Sequence, residues 1–376
     1  MIFQNCESDL EFPATFYACQ ANFPDSSATH PKANIYQEIL DRNQRNGLVG
    51  AVLLVKDQNG LWQGASGKAD LASNVDMQSC NTFLIASISK VFTSAAVYRY
   101  VERGILSLDD PIRNWLDAQV VDKVKNAETA QIQHLLAHTS GIADYYTTQF
   151  DLDRINRAND WTKEEVLEYV YGKSPSNGVG ETYYYSNTNF LLLAMILERA
   201  SGKSFEQIYQ EEVFDPLGLS SAYYSESQPI PAGAVKGYVD LYDNGQFAES
   251  DFLYREELGI GGDGGVAINA YDLAVFLEQL GKGGLLSQSS LDQMFNWFPL
   301  PEDYIWEELG QEENGFGIEK FNTRFGFAIG HTGGIDGFST YAFYFPEQEA
   351  TYVLLINTAG IGDTPEVVFQ EVIEEM

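Results

Sequence analysis

Ser87 and Lys90 are spaced so that they could together carry out nucleophilic chemistry. They begin and end Ser87–Lys90 (Ser-Ile-Ser-Lys), the only S-x-x-K in the sequence. Apolar residues recur at helical spacing from Ile88 onward, which predicts a helix with Ser87 at or next to its N-terminus and Lys90 on the same face. A serine hydroxyl reacts once a base removes its proton, and the helix dipole and burial both favour the neutral lysine that would do so. The alternative is an ordinary helix start with a solvated lysine.

Two further motifs carry polar side chains where an element is predicted to begin or end. Tyr185–Asn187 (Tyr-Ser-Asn) stands just before an apolar helix predicted at 189–200, where a loop would present it. His331–Gly334 (His-Thr-Gly-Gly) begins at the end of a strand predicted at 325–331. For Tyr185 taken alone, a packed tyrosine is the default interpretation.

The elements that would position these motifs are strands near both chain ends and helices in between. Periodicity and turn signals predict a helix at 33–44, a hairpin of strands at 48–56 and 61–68, strands at 325–331, 338–345 and 350–357, and a closing helix at 364–375. This order predicts an α/β (α+β) fold. Its antiparallel sheet is built from both chain ends and flanked by helices, and a mainly helical domain packs against it.

The same pattern divides the chain into three parts. Residues 1–33 show no periodicity and are expected to form an N-terminal arm on the surface. Residues 34–75 and 306–376 are assigned to a discontinuous sheet domain, and residues 76–305 to the mainly helical domain. The active site is expected at the interface between these two domains.

The composition excludes several classes of partner. The 376 residues carry a net charge of −32 and a pI of about 4.2, which argues against binding to nucleic acid or to anionic membranes. No stretch approaches the roughly 18 apolar residues of a membrane span. The first residues lack the features of a signal peptide, so we expect either a periplasmic or secreted protein whose leader has been removed, or a cytoplasmic one. The expected partner is a small-molecule or peptide substrate, and the oligomeric state is left open.

The three cysteines are too few for a disulfide scaffold and too scattered for a zinc site. Cys6 and Cys19 could pair and fasten the N-terminal arm in an oxidising compartment. Cys80 is expected to be a small buried hydrophobic residue.

Two patterns that suggest a cofactor have simpler interpretations. Gly259–Gly264 matches G-x-G-x-x-G, but no βαβ unit surrounds it, so we expect a tight turn that lines the site. His134 and His138 could share a helix face, yet no glutamate follows as in a metalloprotease helix, and both are expected to be structural. We therefore expect no metal and no other cofactor.

Six motifs follow one another along the chain: Phe83–Lys90, Gly104–Pro111, His134–Gly141, Tyr185–Asn187, Gly264–Leu273 and Gly330–Phe338. In this order they resemble the serine β-lactamase and penicillin-binding protein superfamily. The resemblance is greatest to the branch that holds class C β-lactamases, D-Ala-D-Ala carboxypeptidases, D-aminopeptidases and related esterases. It runs from about residue 35 to the C-terminus and leaves out the N-terminal arm. No G-x-S-x-G elbow is present, which excludes the α/β-hydrolase alternative.

The resemblance implies a mechanism through an acyl-enzyme. It implies that Ser87 is the nucleophile and that Lys90 and Tyr185 transfer the proton of its hydroxyl. In this branch the tyrosine is the favoured base or proton shuttle, and the lysine is expected to lower the pKa of the tyrosine. The position of Tyr185 within the family order thus favours a catalytic role over that of a packed core residue.

The resemblance also implies how a substrate is held. Three residues are expected to bind it: Asn187, His331 and Thr332. The backbone N–H groups of Ser87 and Gly334 are expected to form the oxyanion hole. Fixed donors of this kind contribute on the order of 3 kcal/mol each to stabilising a transition state.

His331 departs from many relatives, which place a lysine there. A lysine is a permanent cation beside a substrate carboxylate, whereas an unperturbed histidine is mostly neutral at pH 7. Because histidine also occurs there in carboxypeptidase-like relatives, activity is still expected, but rapid β-lactam turnover is not favoured. No arginine is an obvious replacement, since Arg324 is placed on the preceding strand and Arg255 is not placed.

The expected function is that of a serine hydrolase acting on D-amino-acid peptides, as a carboxypeptidase or aminopeptidase does, or on small esters and amides. One alternative is a β-lactamase with real turnover. Another is a family member that binds or senses β-lactams without turnover. The presence of all four polar residues of the site argues against the last alternative: Ser87, Lys90, Tyr185 and Asn187.

Overall fold

A computed structural model of the chain describes residues 13–20, 26–156, 161–224, 231–240, 242, 244–250, 260–360 and 362–376. Within these ranges the strands, numbered in chain order, are β1 Gly50–Asp57, β2 Gly60–Asp70, β3 Val75–Asp76, β4 Phe83–Leu84, β5 Tyr238–Val239, β6 Ala248–Glu249, β7 Ala267–Ile268, β8 Phe298–Pro299, β9 Gln311–Asn314, β10 Glu319–Thr323, β11 Gly326–Ile335, β12 Phe338–Phe345, β13 Ala350–Ile356 and β14 Thr358–Ala359.

The helices are α1 Ala33–Arg45, α2 Ser89–Glu102, α3 Ala118–Lys123, α4 Ile132–Leu136, α5 Thr148–Asn156, α6 Lys163–Leu167, α7 Asn187–Ser201, α8 Phe205–Tyr209, α9 Asp215–Leu217, α10 Ala270–Gly281, α11 Gln288–Met294 and α12 Thr364–Glu375. A 3₁₀ turn at Ala86–Ile88 precedes α2. In the described part of the chain, no helix has both the length and the hydrophobicity needed to cross a membrane.

One antiparallel sheet combines strands from both ends of the chain, as predicted. Its order is β3-β2-β1-β13-β12-β11-β10-β9-β8, so β1 lies between its hairpin partner β2 and the C-terminal strand β13. Ala51 of β1 is paired with Ile356 of β13. Every residue of β13 is buried, because both faces of the sheet are covered at this strand. The expected fold class is therefore confirmed.

Each face of the sheet packs on its own hydrophobic core. On one face, α1 and α12 contribute residues such as Leu40 and Phe369, which lie in one cluster with Phe343 of β12. On the other face, a larger core includes Phe92 of α2 and Phe190 of α7. α2 is buried on nearly all sides rather than along a single stripe, because it lies inside this core. The helix that follows Ser87 is thus held by packing from every direction.

The N-terminal arm is fastened by a disulfide bond between Cys19 and Cys80. The expected pairing of Cys6 with Cys19 is therefore wrong, as is the expectation of an unbonded Cys80, and Cys6 itself lies outside the described residues. Sequence spacing could not identify the pair because the two cysteines meet only in the folded chain. Tyr17 of the arm is fully buried and donates from its hydroxyl to Asp70 Oδ2 (2.8 Å). Where the structure describes the arm, at residues 13–20 and 26–33, it thus includes a side chain that is buried in the core.

The short strands β5 and β6 pair with each other in antiparallel orientation. β5 also pairs in parallel with β14, which follows the sheet strand β13. This pair of strands therefore contacts the C-terminal part of the chain beside the large sheet.

Candidate active site

Ser87 lies on the 3₁₀ turn that leads into α2, half-exposed to a cleft. The residue before it, Ala86, has a positive φ of 47°, a conformation that costs about 1–2 kcal/mol for a residue with a side chain. Two hydrogen bonds of Ile85, the residue before the turn, hold this conformation. The Ile85 carbonyl accepts from Thr340 Oγ1 (3.2 Å), and the Ile85 N–H donates to the Val266 carbonyl (3.0 Å). The nucleophile's backbone is thus fixed by two strands that are distant in sequence.

Lys90 lies one turn further on, and its side chain reaches Ser87. Its Nζ donates to Ser87 Oγ (3.0 Å) and to the backbone carbonyl of Asp263 (2.8 Å). Burial lowers the pKa of Lys90 to about 8. Three carboxylates oppose this effect: Asp263, Asp144 and Glu319. A lysine with this pKa is partly neutral at mildly alkaline pH and is suited to accept the proton of Ser87.

Tyr185 contacts the same oxygen of the nucleophile. Its hydroxyl donates to Ser87 Oγ (2.9 Å), and Lys90 Nζ lies 5.0 Å from the centre of its ring. Burial raises the pKa of Tyr185 well above 10, so the phenol is neutral in the free site. Burial thus outweighs any lowering of the pKa of Tyr185 by the neighbouring Lys90. This arrangement suits Lys90 as the base and Tyr185 as a group that passes a proton on.

Tyr185 is positioned by His138, one of the two histidines predicted to be structural. The imidazole stacks on the phenol with ring centroids 4.4 Å apart. Its Nδ1 accepts from the Ser186 backbone N–H (3.1 Å) and from Asn189 Nδ2 (3.2 Å). Burial lowers the pKa of His138 well below 6.5, so the ring remains a neutral acceptor. His134 caps the start of α4.

Asn187 begins α7 and lines the cleft. It is held by Asp144, which the sequence analysis did not single out. Asp144 Oδ1 accepts the backbone N–H of Asn187 (3.0 Å), and Oδ2 accepts from its side-chain amide (3.1 Å). Burial, together with the charge of Asp263, raises the pKa of Asp144 to about 6. The amide of Asn187 is therefore fixed in one orientation before any substrate arrives.

Strand β11 passes unusually close to the nucleophile turn at Gly333. A Cβ added to Gly333 would lie 2.4 Å from the Ile85 carbonyl oxygen and 2.4 Å from Thr340 Oγ1, so this approach requires glycine. The next residue, Gly334, lines the cleft together with Ser87. The backbones of Ser87 and Gly334 therefore border the same cleft, as the expected oxyanion hole requires.

His331 is buried and neutral. Burial lowers its pKa to about 3, and the charge of Lys90 adds to the effect. Its Nδ1 carries a proton, because its partner is the Thr332 carbonyl, which can only accept. Its Nε2 lies 3.6 Å from Glu319 Oε1. A neutral ring cannot supply the cation that a lysine would, in agreement with the expectation from the sequence.

The structure thus brings the predicted residues of the site together but does not expose all of them. Four line the cleft: Ser87, Tyr185, Asn187 and Gly334. Lys90 and His331 are buried, and Thr332 is half-buried on β11.

The cleft has a volume of about 450 Å³. Part of its wall is the glycine-rich turn at 261–265, in agreement with the prediction, although Gly259 lies outside the described residues. Another part is aromatic and consists of Tyr145, Tyr146 and Phe150. The Asp263 carboxylate also lines the cleft, and its Oδ2 accepts from the Tyr145 hydroxyl (2.7 Å).

An arginine that the sequence analysis missed lies in the cleft wall. The side chain of Arg154 is only 2% exposed and donates to Asp336 Oδ2 (2.9 Å) and Asp151 Oδ1 (3.0 Å). The side chain of Arg154 links α5 to the turn after β11. No local sequence pattern predicts this contact, because the residues are far apart in the chain. Because two carboxylates already pair with Arg154, it does not replace the lysine that His331 lacks.

Of the two arginines considered from the sequence, the structure describes one, and it does not line the cleft. Arg324 lies in the turn between β10 and β11, rather than on a strand, and pairs with Glu374 (2.9 Å). Arg255 lies outside the described residues.

Comparison with known proteins agrees with this geometry. The family model named Beta-lactamase matches residues 33–370, nearly the whole chain. The chain belongs to the Beta-lactamase family. This member of the family is a serine hydrolase, and the resemblance drawn from the ordered motifs is confirmed.

Three relatives illustrate the similarity. Penicillin-binding protein 4* of Bacillus subtilis is 27% identical over 336 residues, which cover 86% of this chain and 70% of that protein. A D-aminopeptidase of Cereibacter sphaeroides is 24% identical over 318 residues, which cover 84% of this chain and 58% of the longer relative. The crystal structure of a D-stereospecific amidohydrolase from Streptomyces sp. has a TM-score of 0.80 at 24% identity, covering 91% of this chain and 98% of that one.

Proposed function

We propose that the protein hydrolyses amides of D-amino acids, including amino-terminal D-residues of peptides, through an acyl-enzyme on Ser87. One observation carries the proposal: Ser87 Oγ accepts hydrogen bonds from both Lys90 Nζ (3.0 Å) and Tyr185 OH (2.9 Å) at the wall of a cleft. The relatives named as a D-aminopeptidase and a D-stereospecific amidohydrolase support this substrate class.

Acylation begins when Ser87 Oγ attacks the carbonyl carbon of the substrate. The hydroxyl proton passes to neutral Lys90, directly or through Tyr185. The oxyanion that forms accepts the backbone N–H groups of Ser87 and Gly334, which contribute on the order of 3 kcal/mol each. The proton then moves to the leaving nitrogen as the C–N bond breaks, and an ester remains on Ser87.

Deacylation repeats these steps with water as the nucleophile. Lys90 accepts a proton from the water, which attacks the ester carbonyl. The released amino acid leaves with a carboxyl group, and the proton returns to Ser87 Oγ. In both steps Asn187 would bind the amide or ester group of the substrate, while Thr332 would contact the leaving group or the water that replaces it.

The charges around the cleft favour a substrate with a free amino group over one with a free carboxylate. Asp263 contributes a carboxylate to the wall. Arg154 is paired with two carboxylates, and His331 is neutral. A substrate ammonium group would therefore be attracted, whereas a substrate carboxylate would be repelled. These charges support an amidase or aminopeptidase over a carboxypeptidase.

The aromatic wall supports an apolar side chain on the substrate. Tyr145, Tyr146 and Phe150 line one part of the cleft, and Ile335 and Phe338 line another. An aromatic or large aliphatic side chain would bury its surface there, at about 25 cal/mol per Å² of apolar area removed from water.

The test compares three amides: D-phenylalanine amide, L-phenylalanine amide and N-acetyl-D-phenylalanine amide. We expect the D-amide to have the highest kcat/KM, and acetylation to lower it, because acetylation removes the positive charge. Ser87→Ala should lower kcat by at least about a thousandfold, whereas Ser289→Ala, at an exposed serine outside the cleft lining, serves as the matched control. Equal rates for the free and acetylated amides would contradict the proposed role of the cleft charges.

Acylation by β-lactams is the second candidate function, favoured by the similarity to penicillin-binding protein 4*. Penicillins carry a carboxylate, so we expect slow acylation. A time course of intact mass with a penicillin would show a long-lived adduct on the wild type and none on Ser87→Ala. Consumption of the drug without an adduct would favour a β-lactamase with real turnover. An adduct together with no hydrolysis of any amide or ester would favour a sensor.

We also propose the division into a sheet domain (34–75 and 306–376) and a helical domain (76–305), with the active site between them. It is supported by the origin of the site: Ser87 and Tyr185 come from the helical segment, and Gly334 comes from the sheet. The bond between Cys19 and Cys80 supports an oxidising compartment, since disulfides are rare in the reducing cytoplasm. A periplasmic or secreted location therefore remains our proposal.

A further inference from the structure

Glu319 is a buried carboxyl group beside the site that the mechanism above does not use. It begins β10 and is only 5% exposed. The pairing of β10 with β11 ends at Glu319 and Gly330, so Thr332 has no backbone partner on β10. Glu319 Oε2 accepts the Thr332 backbone N–H instead, at 3.1 Å. A side chain thus continues the hydrogen bonding of the sheet where β11 approaches the nucleophile.

The other oxygen of Glu319 faces His331. Oε1 lies 3.6 Å from Nε2, which is longer than a hydrogen bond. Because Nδ1 carries the proton of the neutral ring, Nε2 presents a lone pair. An ionised carboxylate and this lone pair repel each other, whereas a proton on the carboxyl group allows the two groups to approach. Burial raises the pKa of Glu319 to about 7, so both forms exist near neutral pH.

The charge of Glu319 acts on the catalytic groups. When ionised it raises the pKa of Lys90 and the pKa of Tyr185, since a negative charge favours the ammonium and disfavours the phenolate. The titratable groups that face it belong to four neighbouring parts of the structure: Lys90 on α2, Tyr183 and Tyr185 before α7, His331 on β11 and Tyr341 on β12.

We propose that Glu319 is a positioning residue of this hydrolase, which holds Thr332 at the site and tunes Lys90 through its charge. Only the geometry of β10 and β11 reveals this role, because in the sequence Glu319 is one of many acidic residues. The proposal rests on Ser87 being the nucleophile, as proposed above, but not on the identity of the natural substrate.

The experiment measures acylation of Ser87 by p-nitrophenyl acetate between about pH 6 and pH 10, for the wild type and three variants. Glu319→Gln keeps an oxygen for the Thr332 N–H but removes the charge. Glu319→Ala removes both. Glu313→Gln, in the neighbouring strand β9, is the matched control, because Glu313 pairs with Lys320 and is not a partner of Thr332. Thermal unfolding of each variant is recorded in parallel.

We expect Glu319→Gln to retain the plateau rate within about threefold and to shift the rise of the rate to lower pH, since Lys90 loses a negative neighbour. Glu319→Ala also removes the charge, so it should show the same shift together with a plateau rate about tenfold lower, and Glu313→Gln should match the wild type.

Two results would overturn the proposal. One is a pH profile of Glu319→Gln that coincides with that of the wild type. The other is an equal loss of rate and of melting temperature in both Glu319 variants, which would indicate packing alone. Acylation by the ester without hydrolysis of D-phenylalanine amide would contradict the proposed substrate instead, and the acylation rates would still decide the role of Glu319.

Discussion

Removal of the disulfide between Cys19 and Cys80 is expected to lower the free energy of unfolding by about 4 kcal/mol. The bond links residues separated by 61 positions. For a loop of that length, the loss of chain entropy in the unfolded state is about 14 cal/mol/K, which gives about 4 kcal/mol at 25 °C. The folded segment keeps other contacts, because Asn81 Nδ2 still donates to the Tyr17 carbonyl (2.8 Å) and to the Gly233 carbonyl (3.0 Å). The effect should therefore arise mainly in the unfolded chain.

Urea unfolding of the double variant Cys19→Ser/Cys80→Ser, without reductant, measures this loss. Cys6→Ser leaves the bonded pair intact and should unfold like the wild type. Because α2 and β11 hold Ser87 independently of the bond, we expect kcat/KM of the folded double variant to stay within about twofold of the wild type. A change in unfolding free energy below about 1 kcal/mol would refute the argument from loop closure.

Four further predictions concern the site. kcat/KM should rise as the pH increases through about 8, where Lys90 loses its proton; a flat profile across this range would exclude Lys90 as the base. The pKa of Lys90 is about 8 in the folded protein, below the 10.5 of a free lysine, so the chain takes up a proton when it unfolds between these two pH values. The free energy of unfolding of the wild type should therefore rise with pH in that window, and that of Lys90→Met should lack this rise. Gly333→Ala should lower kcat/KM at least about a hundredfold by pushing β11 away from Ile85; Gly334→Ala, whose added Cβ meets no atom within 4 Å, is the control for thermal stability. His138→Ala should lower kcat about tenfold and leave KM nearly unchanged, because it frees the ring of Tyr185; an equal change in KM would point to a role in binding.

Local periodicity was sufficient to predict most of the elements. The closing helix Thr364–Glu375 and the strand Phe338–Phe345 have the predicted bounds, because each has a clear apolar pattern between turn residues. Ser87 and Lys90 are also a local pair, one helical turn apart, so their contact could be inferred from spacing. Tyr185 was found through the order of the motifs, which carries information about the family and not about its contacts.

The residues that the sequence analysis missed contact partners that are far away in the sequence. Asp144 holds Asn187, Arg154 reaches Asp336, and Glu319 supports Thr332. In a chain with 54 acidic residues, no local pattern distinguishes the few carboxylates that become buried. The pairing of Cys19 was missed for the same reason, since only the fold brings its partner near.

The position of β1 between β2 and β13 has a consequence for how the protein is made. A ribosome synthesises Ala51 long before its partner Ile356. The edge of β1 that pairs with β13 therefore stays unpaired while most of the chain is being synthesised. Gly333 and Gly334, which complete the surroundings of Ser87, are also synthesised late. The nascent chain therefore carries its nucleophile for most of translation without an assembled site. Hydrolytic activity can begin only after the C-terminal strands have joined the sheet.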